Sequence, residues 1–263
     1  MKVITRNISL LFTGLLSATI LFLSCSIKKQ SDTTAKKILV FTKTAGFHHS
    51  SIPQGIEAVK LICRENNIKV TVTDNSDGFT KDSLAVYSAV IFLNTTGDVL
   101  NNSQQEAFEH YIKSGGGFAG IHSAADTEPD WPWYIRLAGA KFASHPNNPN
   151  ILKAVINITD TNFPATKGLP LRWERTDEWY NYSNISEDIK VIATLDESTY
   201  SGGTNGKNHP IAWYHSFEGG RAFYTGGGHT EASYAEPLFL KHLTEGIKYA
   251  AGIDSAATSN KDK

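Results

Sequence analysis

The run Gly115-Gly116-Gly117-Phe118-Ala119-Gly120-Ile121-His122-Ser123-Ala124-Ala125-Asp126 reads as a flat, small-residue strand that ends in a sharp turn and presents an imidazole. Glycines at such a turn permit close backbone approach or positive φ. His122 would emerge at the carboxyl end of the strand, where open α/β sheets place their ligands. If a helix starts there, His122 and Asp126, four residues apart, share one face as a proton-handling pair. The same residues also fit a hydrogen-bonded histidine at an uncrowded strand end. The second half of the chain repeats the arrangement: Gly220-Arg221-Ala222-Phe223-Tyr224-Thr225 is a short β-type run, followed by Gly226-Gly227-Gly228-His229-Thr230-Glu231. Two such elements in one domain favour a site.

Of the nine histidines, His48, His49, His122, His145, His209, His215 and His229 lie beside Gly, Pro or aromatic residues near expected strand ends or loops. In an α/β sheet those loops converge. His215 reads better as a turn residue, and His110 and His242 fall inside amphipathic helices as surface or packing residues. Asp177 and Glu178, set before Trp179 and Tyr180, fit a solvated acidic pair or the rim of a sugar pocket, where carboxylates accept hydroxyl hydrogen bonds and rings stack on the apolar sugar face. Trp131, Trp133 and Trp213 serve equally as stacking or core residues. Neutral histidines with nearby carboxylates could hold zinc or a similar divalent ion, although no His-Glu-x-x-His spacing occurs.

Strands and helices must position these groups. Lys37 to Thr42 reads as a strand, Ile52 to Asn66 as a helix, Ile68 to Thr73 and Ser88 to Asn94 as strands. A helix runs to Lys113 with a capping box formed by Ser103 and Glu106, and the strand Gly116 to Ile121 follows. This alternation predicts a mostly parallel sheet covered by helices on both faces. A short helix opens at Trp131-Pro132, strands are expected over Ile151 to Ile158 and Ile189 to Leu195, Leu171 to Arg175 lies between them, and Pro210 to His215 reads as a paired run. This middle region reads as an insertion or edge extension of the sheet. The Arg221 to Thr225 strand and a helix from Glu236 to Ala250 close the chain.

At 263 residues, 40% hydrophobic and 11% aromatic, the chain can bury a sizeable core. The net charge of −1 and the lack of a basic block interleaved with aromatics argue against a nucleic-acid partner. The amino terminus has a targeting pattern: Lys2 and Arg6, an apolar run from Ile8 to Leu23, then Ser24-Cys25. It resembles a bacterial lipoprotein signal over residues 1–24, with Cys25 as the lipidated residue and 25–36 as the tether; an uncleaved anchor is the other reading. Either one places the body outside the cytoplasm on a membrane anchor, facing the periplasm. With Cys25 lipidated, Cys63 remains alone on an apolar helix face as a core residue. Residues 253–263 form a polar tail.

The residues also carry a family resemblance. Lys-Ile-Leu-Val-Phe-Thr-Lys-Thr-Ala-Gly-Phe-His-His-Ser-Ser-Ile-Pro (37–53), the Gly115 to Asp126 run, Phe-Ala-Ser-His-Pro (142–146), Thr-Asp-Glu-Trp-Tyr (176–180), His-Pro-Ile-Ala-Trp (209–213) and Gly-Gly-His-Thr (227–230), in that order over residues 37–252, resemble the trehalose-utilisation ThuA-like family. The resemblance implies a flavodoxin-like three-layer α/β/α sandwich, similar to class I glutamine amidotransferases. His122 falls at the turn that carries the amidotransferase cysteine, so thiol-based glutamine hydrolysis is excluded. It further implies a small carbohydrate substrate, a disaccharide or glycoside in its 3-keto form. The acid/base chemistry would be elimination with hydration, hydrolysis or isomerisation. In that scheme His122 is the base or acid, Asp126 its orienting partner, and His229 with Glu178 the second acid/base or oxyanion partner. His48, His49, His145, Asp177, Trp179, Tyr180, His209 and Trp213 line the substrate. A non-catalytic carbohydrate-binding lipoprotein is the competing class.

Overall fold

A computed structural model describes Met1 and residues 35–253. Residues 2–24 of the signal segment, Cys25, nearly all of the tether and the tail beyond residue 253 lie outside the described residues. Among the described residues no helix is long and apolar enough to cross a bilayer.

The chain order is β1 (Lys37–Phe41), α1 (Ile52–Glu65), β2 (Lys69–Thr73), α2 (Lys81–Leu84), β3 (Ala89–Leu93), α3 (Asn102–Lys113), β4 (Gly117–Ile121), α4 (Pro132–Ala138), β5 (Lys141–Ser144), β6 (Ile151–Ile158), β7 (Arg172–Glu178), β8 (Asn181–Ser183), β9 (Lys190–Asp196), β10 (Pro210–Phe217), β11 (Gly220–Thr225) and α5 (Pro237–Ala250). Nine strands form one sheet in the order β2-β1-β3-β4-β11-β10-β9-β6-β7, and β5 pairs with β8 separately. From β2 to β11 every pairing is parallel, in the doubly wound order of flavodoxin-like folds. From β11 to β7 every pairing is antiparallel, so the expected edge extension continues the same sheet.

Burial explains the parallel part. β3 (Ala-Val-Ile-Phe-Leu) and β4 (Gly-Phe-Ala-Gly-Ile) are buried at every position, as expected where helices cover both faces. α1 and α5 pack on one face, α3 and α4 on the other. Gly117 has a packing reason: a Cβ there would run into the backbone carbonyl of Ala250 at the end of α5. Cys63 is buried on α1, and burial pushes its thiol up to about 11, which removes it as a nucleophile.

One local expectation is corrected. α3 is capped by Asn101 and Gln104, whose side chains exchange hydrogen bonds with each other's backbone N–H, and not by Ser103 and Glu106. Asn ranks with Ser as a cap and Gln replaces Glu in the box, so both registers satisfied the pattern.

Candidate functional site

β4 and β11 are parallel neighbours with Ile121 opposite Thr225, so the two glycine-rich turns lie side by side at the carboxyl end of the sheet. His122 occupies its turn at φ 50°, a left-handed conformation uncommon outside glycine. Two bonds hold it there: the Tyr224 hydroxyl donates to the His122 carbonyl at 2.6 Å, and His122 Nδ1 donates to the Gly226 carbonyl at 2.9 Å. A carbonyl can only accept, so Nδ1 carries the proton and the other ring nitrogen is turned inward.

That inner atom, Nε2, lies 3.2 Å from His229 Nδ1 and 3.4 Å from Glu178 Oε2. His229 Nδ1 is 3.0 Å from the same carboxylate oxygen. His49 completes the group, with ring centres 5.0 Å from those of both His122 and His229 and nearly perpendicular to each. The quartet is well covered: the His122 side chain is 0% exposed and Glu178 4%, while His229 at 14% is the member that reaches solvent.

Enclosure sets the electrostatics. Burial, with the His122 and His229 rings close by, pushes His49 down to about 3, so it is neutral. Burial works to raise the Glu178 carboxyl, but the close approach of the His122 and His229 rings outweighs it and holds the group below the usual carboxylate range. Asn150 Nδ2 donates to Glu178 Oε1 at 2.8 Å, leaving Oε2 for the imidazoles.

The turn that carries His229 is itself held. Asp177, 0% exposed, accepts from the backbone N–H of Gly228 at 2.8 Å, of His229 at 3.1 Å and of Thr230 at 3.3 Å. It also accepts from Ser233 Oγ at 2.8 Å and pairs with Arg175 at 3.4 Å. Gly228 sits at φ 112°, where a side chain would strain this turn. Ser51, ahead of α1, donates its hydroxyl to the Gly228 carbonyl, and Asn94, after β3, donates to both. The loops after β1, β3 and β11 are thereby strapped together.

Around the quartet, Tyr180 lies over His122 with ring centres 4.4 Å apart, and Phe142 packs on Tyr180 at 4.3 Å. His145 Nδ1 is 3.7 Å from Glu178 Oε1. On the other side Phe47, 65% exposed, meets His49 edge-on at 4.9 Å, and exposed His48 bonds Thr44 Oγ1 at 3.1 Å. Asp126 is half-buried with no side-chain hydrogen-bond partner among the described residues; burial raises its carboxyl pKa against the pull of His122, Lys141 and His145.

Several expected roles change. Asp126 does not orient His122, because the residues from 122 to 126 form a 3-10 turn, whose three-residue period carries position i+4 away from position i; the Gly226 carbonyl orients the ring instead. His122 is too enclosed to touch a substrate and sits inside the quartet. Asp177 supports the turn and is no rim residue. Trp179 and Trp213 are 0% exposed, with indole N–H groups bonded to the carbonyls of Leu152 and Ala138, so both are core. His209, also 0% exposed, braces the Tyr180 carbonyl and pairs with Glu197 at 2.7 Å. Trp133 is buried and bonds Glu218, and His215 and His242 are packing residues. Phe47, Asn150 and Arg175 were missed; an aromatic directly before His48-His49 was the one signal available for Phe47. Among the described residues, the clefts between Tyr87, Tyr111 and Arg221 and beside Trp131 and Glu128 bring no comparable cluster of histidines and carboxylate together.

The model of the family described as ThuA, trehalose utilisation, matches residues 37–250. No curated protein matches the sequence. A ThuA-like protein from Parabacteroides merdae is 22% identical at a TM-score of 0.70, with 87% of this chain and 93% of that one covered. One from Bacteroides uniformis is 21% identical at 0.70, with 85% and 95% covered. A β-galactosidase from Bacillus circulans sp. alkalophilus is 15% identical at 0.52, and there 87% of this chain corresponds to 32% of the other. These structures share the fold.

Proposed function

The chain belongs to the ThuA family of trehalose utilisation, which suggests a carbohydrate-related role, and from that premise we propose an enzyme that processes a disaccharide or glycoside in its 3-keto form by acid/base chemistry. The observation that carries this reading is the convergence of His49, His122, Glu178 and His229 at the carboxyl end of the parallel strands, with Asp126 and an aromatic rim beside them. A ketone at C3 acidifies the proton at C2. Removing that proton needs a base, and holding the resulting enediolate needs an electrophile.

Asp126 is the base in this scheme. Among the described residues its side chain has no competing hydrogen bond, and burial raises its pKa. The quartet is the electrophilic end and meets the substrate through His229, its exposed member. Elimination of the C1 substituent with hydration, or epimerisation at C2, follows from the same enediolate. Direct hydrolysis by two carboxylates is disfavoured: Glu178 is held ionised with both oxygens engaged, whereas a general acid must carry a proton. The amino-terminal pattern ending at Cys25 supports placing this chemistry outside the cytoplasm on a lipid anchor, and mass spectrometry of the mature amino terminus tests that placement.

The test is incubation of the purified protein in D2O with 3-keto-trehalose, 3-keto-glucosides and the unoxidised sugars, read by mass spectrometry. Deuterium enters at C2 of a keto sugar, and Asp126→Asn lowers that exchange by roughly 10²–10⁴-fold. Binding across the panel without exchange or turnover would instead support a carbohydrate-binding lipoprotein.

A further inference from the structure

We infer that His49, His122, Glu178 and His229 bind one divalent transition-metal ion of the zinc type; the catalytic use of that ion as the electrophile rests on the function proposed above, whereas its binding does not. The donor spacing comes first. His122 Nε2, His229 Nδ1 and Glu178 Oε2 form a triangle with sides of 3.2, 3.4 and 3.0 Å. Ligands bound tetrahedrally at roughly 2.0–2.1 Å from zinc lie about 3.3 Å from one another. All four donor atoms, that of His49 included, fall within 4.8 Å of one another. The three imidazoles are mutually steep, with interplanar angles of 89°, 85° and 77°, so edges rather than faces meet at the centre.

Proton accounting points the same way. The Gly226 carbonyl takes the Nδ1 proton of His122, so in the neutral ring Nε2 is a bare lone pair. Glu178 Oε2 offers only lone pairs as well, and His229 Nδ1 has at most one proton to place between these two acceptors. Low dielectric makes such a surplus of lone pairs costly, and a cation at the centre removes the conflict. The outer contacts match those of metal-binding histidines, which donate their second ring nitrogen to a carbonyl, hydroxyl or carboxylate. His122 uses the Gly226 carbonyl, and His49 Nδ1 faces Ser123 Oγ at 3.4 Å, leaving Nε2 as its donor. Glu178 is steadied through its other oxygen by Asn150.

The donor set selects the ion. Three imidazoles and one carboxylate suit zinc and its first-row neighbours over magnesium or calcium, which prefer oxygen alone. The enclosure fits an ion, and the exposed edge at His229 leaves a way for a sugar oxygen to become an additional ligand. A ketone or enediolate oxygen bound there would be polarised without any proton transfer from the protein.

The experiment uses the full chain, stripped by dialysis against a chelator and then titrated separately with Zn²⁺ and Co²⁺. One equivalent should bind, and Co²⁺ should develop the visible ligand-field bands of a low-symmetry nitrogen and oxygen site. His229→Ala and Glu178→Gln should each weaken Zn²⁺ binding on the order of 100-fold, while His110→Ala, a surface histidine on α3, should leave it unchanged. Absence of stoichiometric binding to the folded wild-type chain overturns the inference, and so does binding that His229→Ala and Glu178→Gln leave intact. If either variant fails to fold, the wild-type titration and Co²⁺ spectrum decide alone. Metal binding without turnover of any keto sugar would sink the proposed function and keep the site. Full turnover by chelated protein that binds no metal would do the reverse.

Discussion

Asp177 and Glu178 are consecutive residues of one strand, and the two buried polar clusters they serve are opposites. Around Asp177 every strong donor meets an acceptor: three backbone N–H groups, the Ser233 hydroxyl and the Arg175 guanidinium converge on one carboxylate, and Arg175 is shared with Glu236 at 2.7 Å. Around Glu178 acceptors exceed protons, and the three nearest ring and carboxylate atoms press to within 3.4 Å. A closed account belongs to structure, because each buried group is compensated at home. An open one is tolerated only where something else binds or reacts. The first cluster exists to hold the second: Asp177 fixes the turn from which His229 projects.

That contrast can be broken most directly by exchanging the fates of the two carboxylates. Asp177→Ala orphans a buried guanidinium and several N–H groups, which costs roughly 3–5 kcal/mol and lowers the thermal midpoint on the order of 10 °C. Glu178→Gln, one residue on, should change stability by less than about 1 kcal/mol while abolishing C2 exchange, because it relieves an acceptor-rich centre. Calorimetry on both variants decides, and equal destabilisation would erase the distinction between the clusters.

His242 sharpens the comparison with a third imidazole environment. It lies among Phe223, Phe239 and Trp173, donates Nδ1–H to the Ala165 carbonyl at 2.8 Å and faces Arg175 as its charged neighbour. Burial pushes it down to about 4 from 6.5. The unfolded chain therefore takes up this proton first as pH falls. The stability that His242 contributes is complete above pH 6.5 and is lost between 6.5 and 4, at most roughly 3 kcal/mol. Denaturant titrations across that window should show a shallower acid loss for His242→Gln than for the wild type. The smallest effect is expected at the rim. Phe47→Ala should raise KM several-fold, about 1 kcal/mol of lost stacking, with kcat and the thermal midpoint unchanged, since the ring is 65% exposed.

The legibility of these parts differs for physical reasons. Alternating apolar runs and turn residues placed β6 and the parallel strands to within a residue or two, because strand existence is a local property. The equivalence of the turns before His122 and His229 was equally visible in their glycines. Cap choice at α3 was not, since Asn101 and Ser103 both met the local rule. The roles of Trp179, Trp213 and His209 could not be separated from those of Tyr180 and His145 by residue type, because an aromatic or imidazole beside a loop has the same appearance whether it faces the core or the rim.

The amino-acid sequence by itself determined the αβ alternation, the two glycine-rich turns and the histidines they present, all of which follow from short-range sterics and periodicity. Tertiary structure alone decided that β4 and β11 lie side by side, that Glu178 arrives from the far, antiparallel end of the sheet, and that the Gly226 carbonyl sets the proton on His122. Those facts depend on strand order and on contacts between residues from 52 to 107 positions apart, and no local pattern encodes a neighbour brought in by long-range pairing.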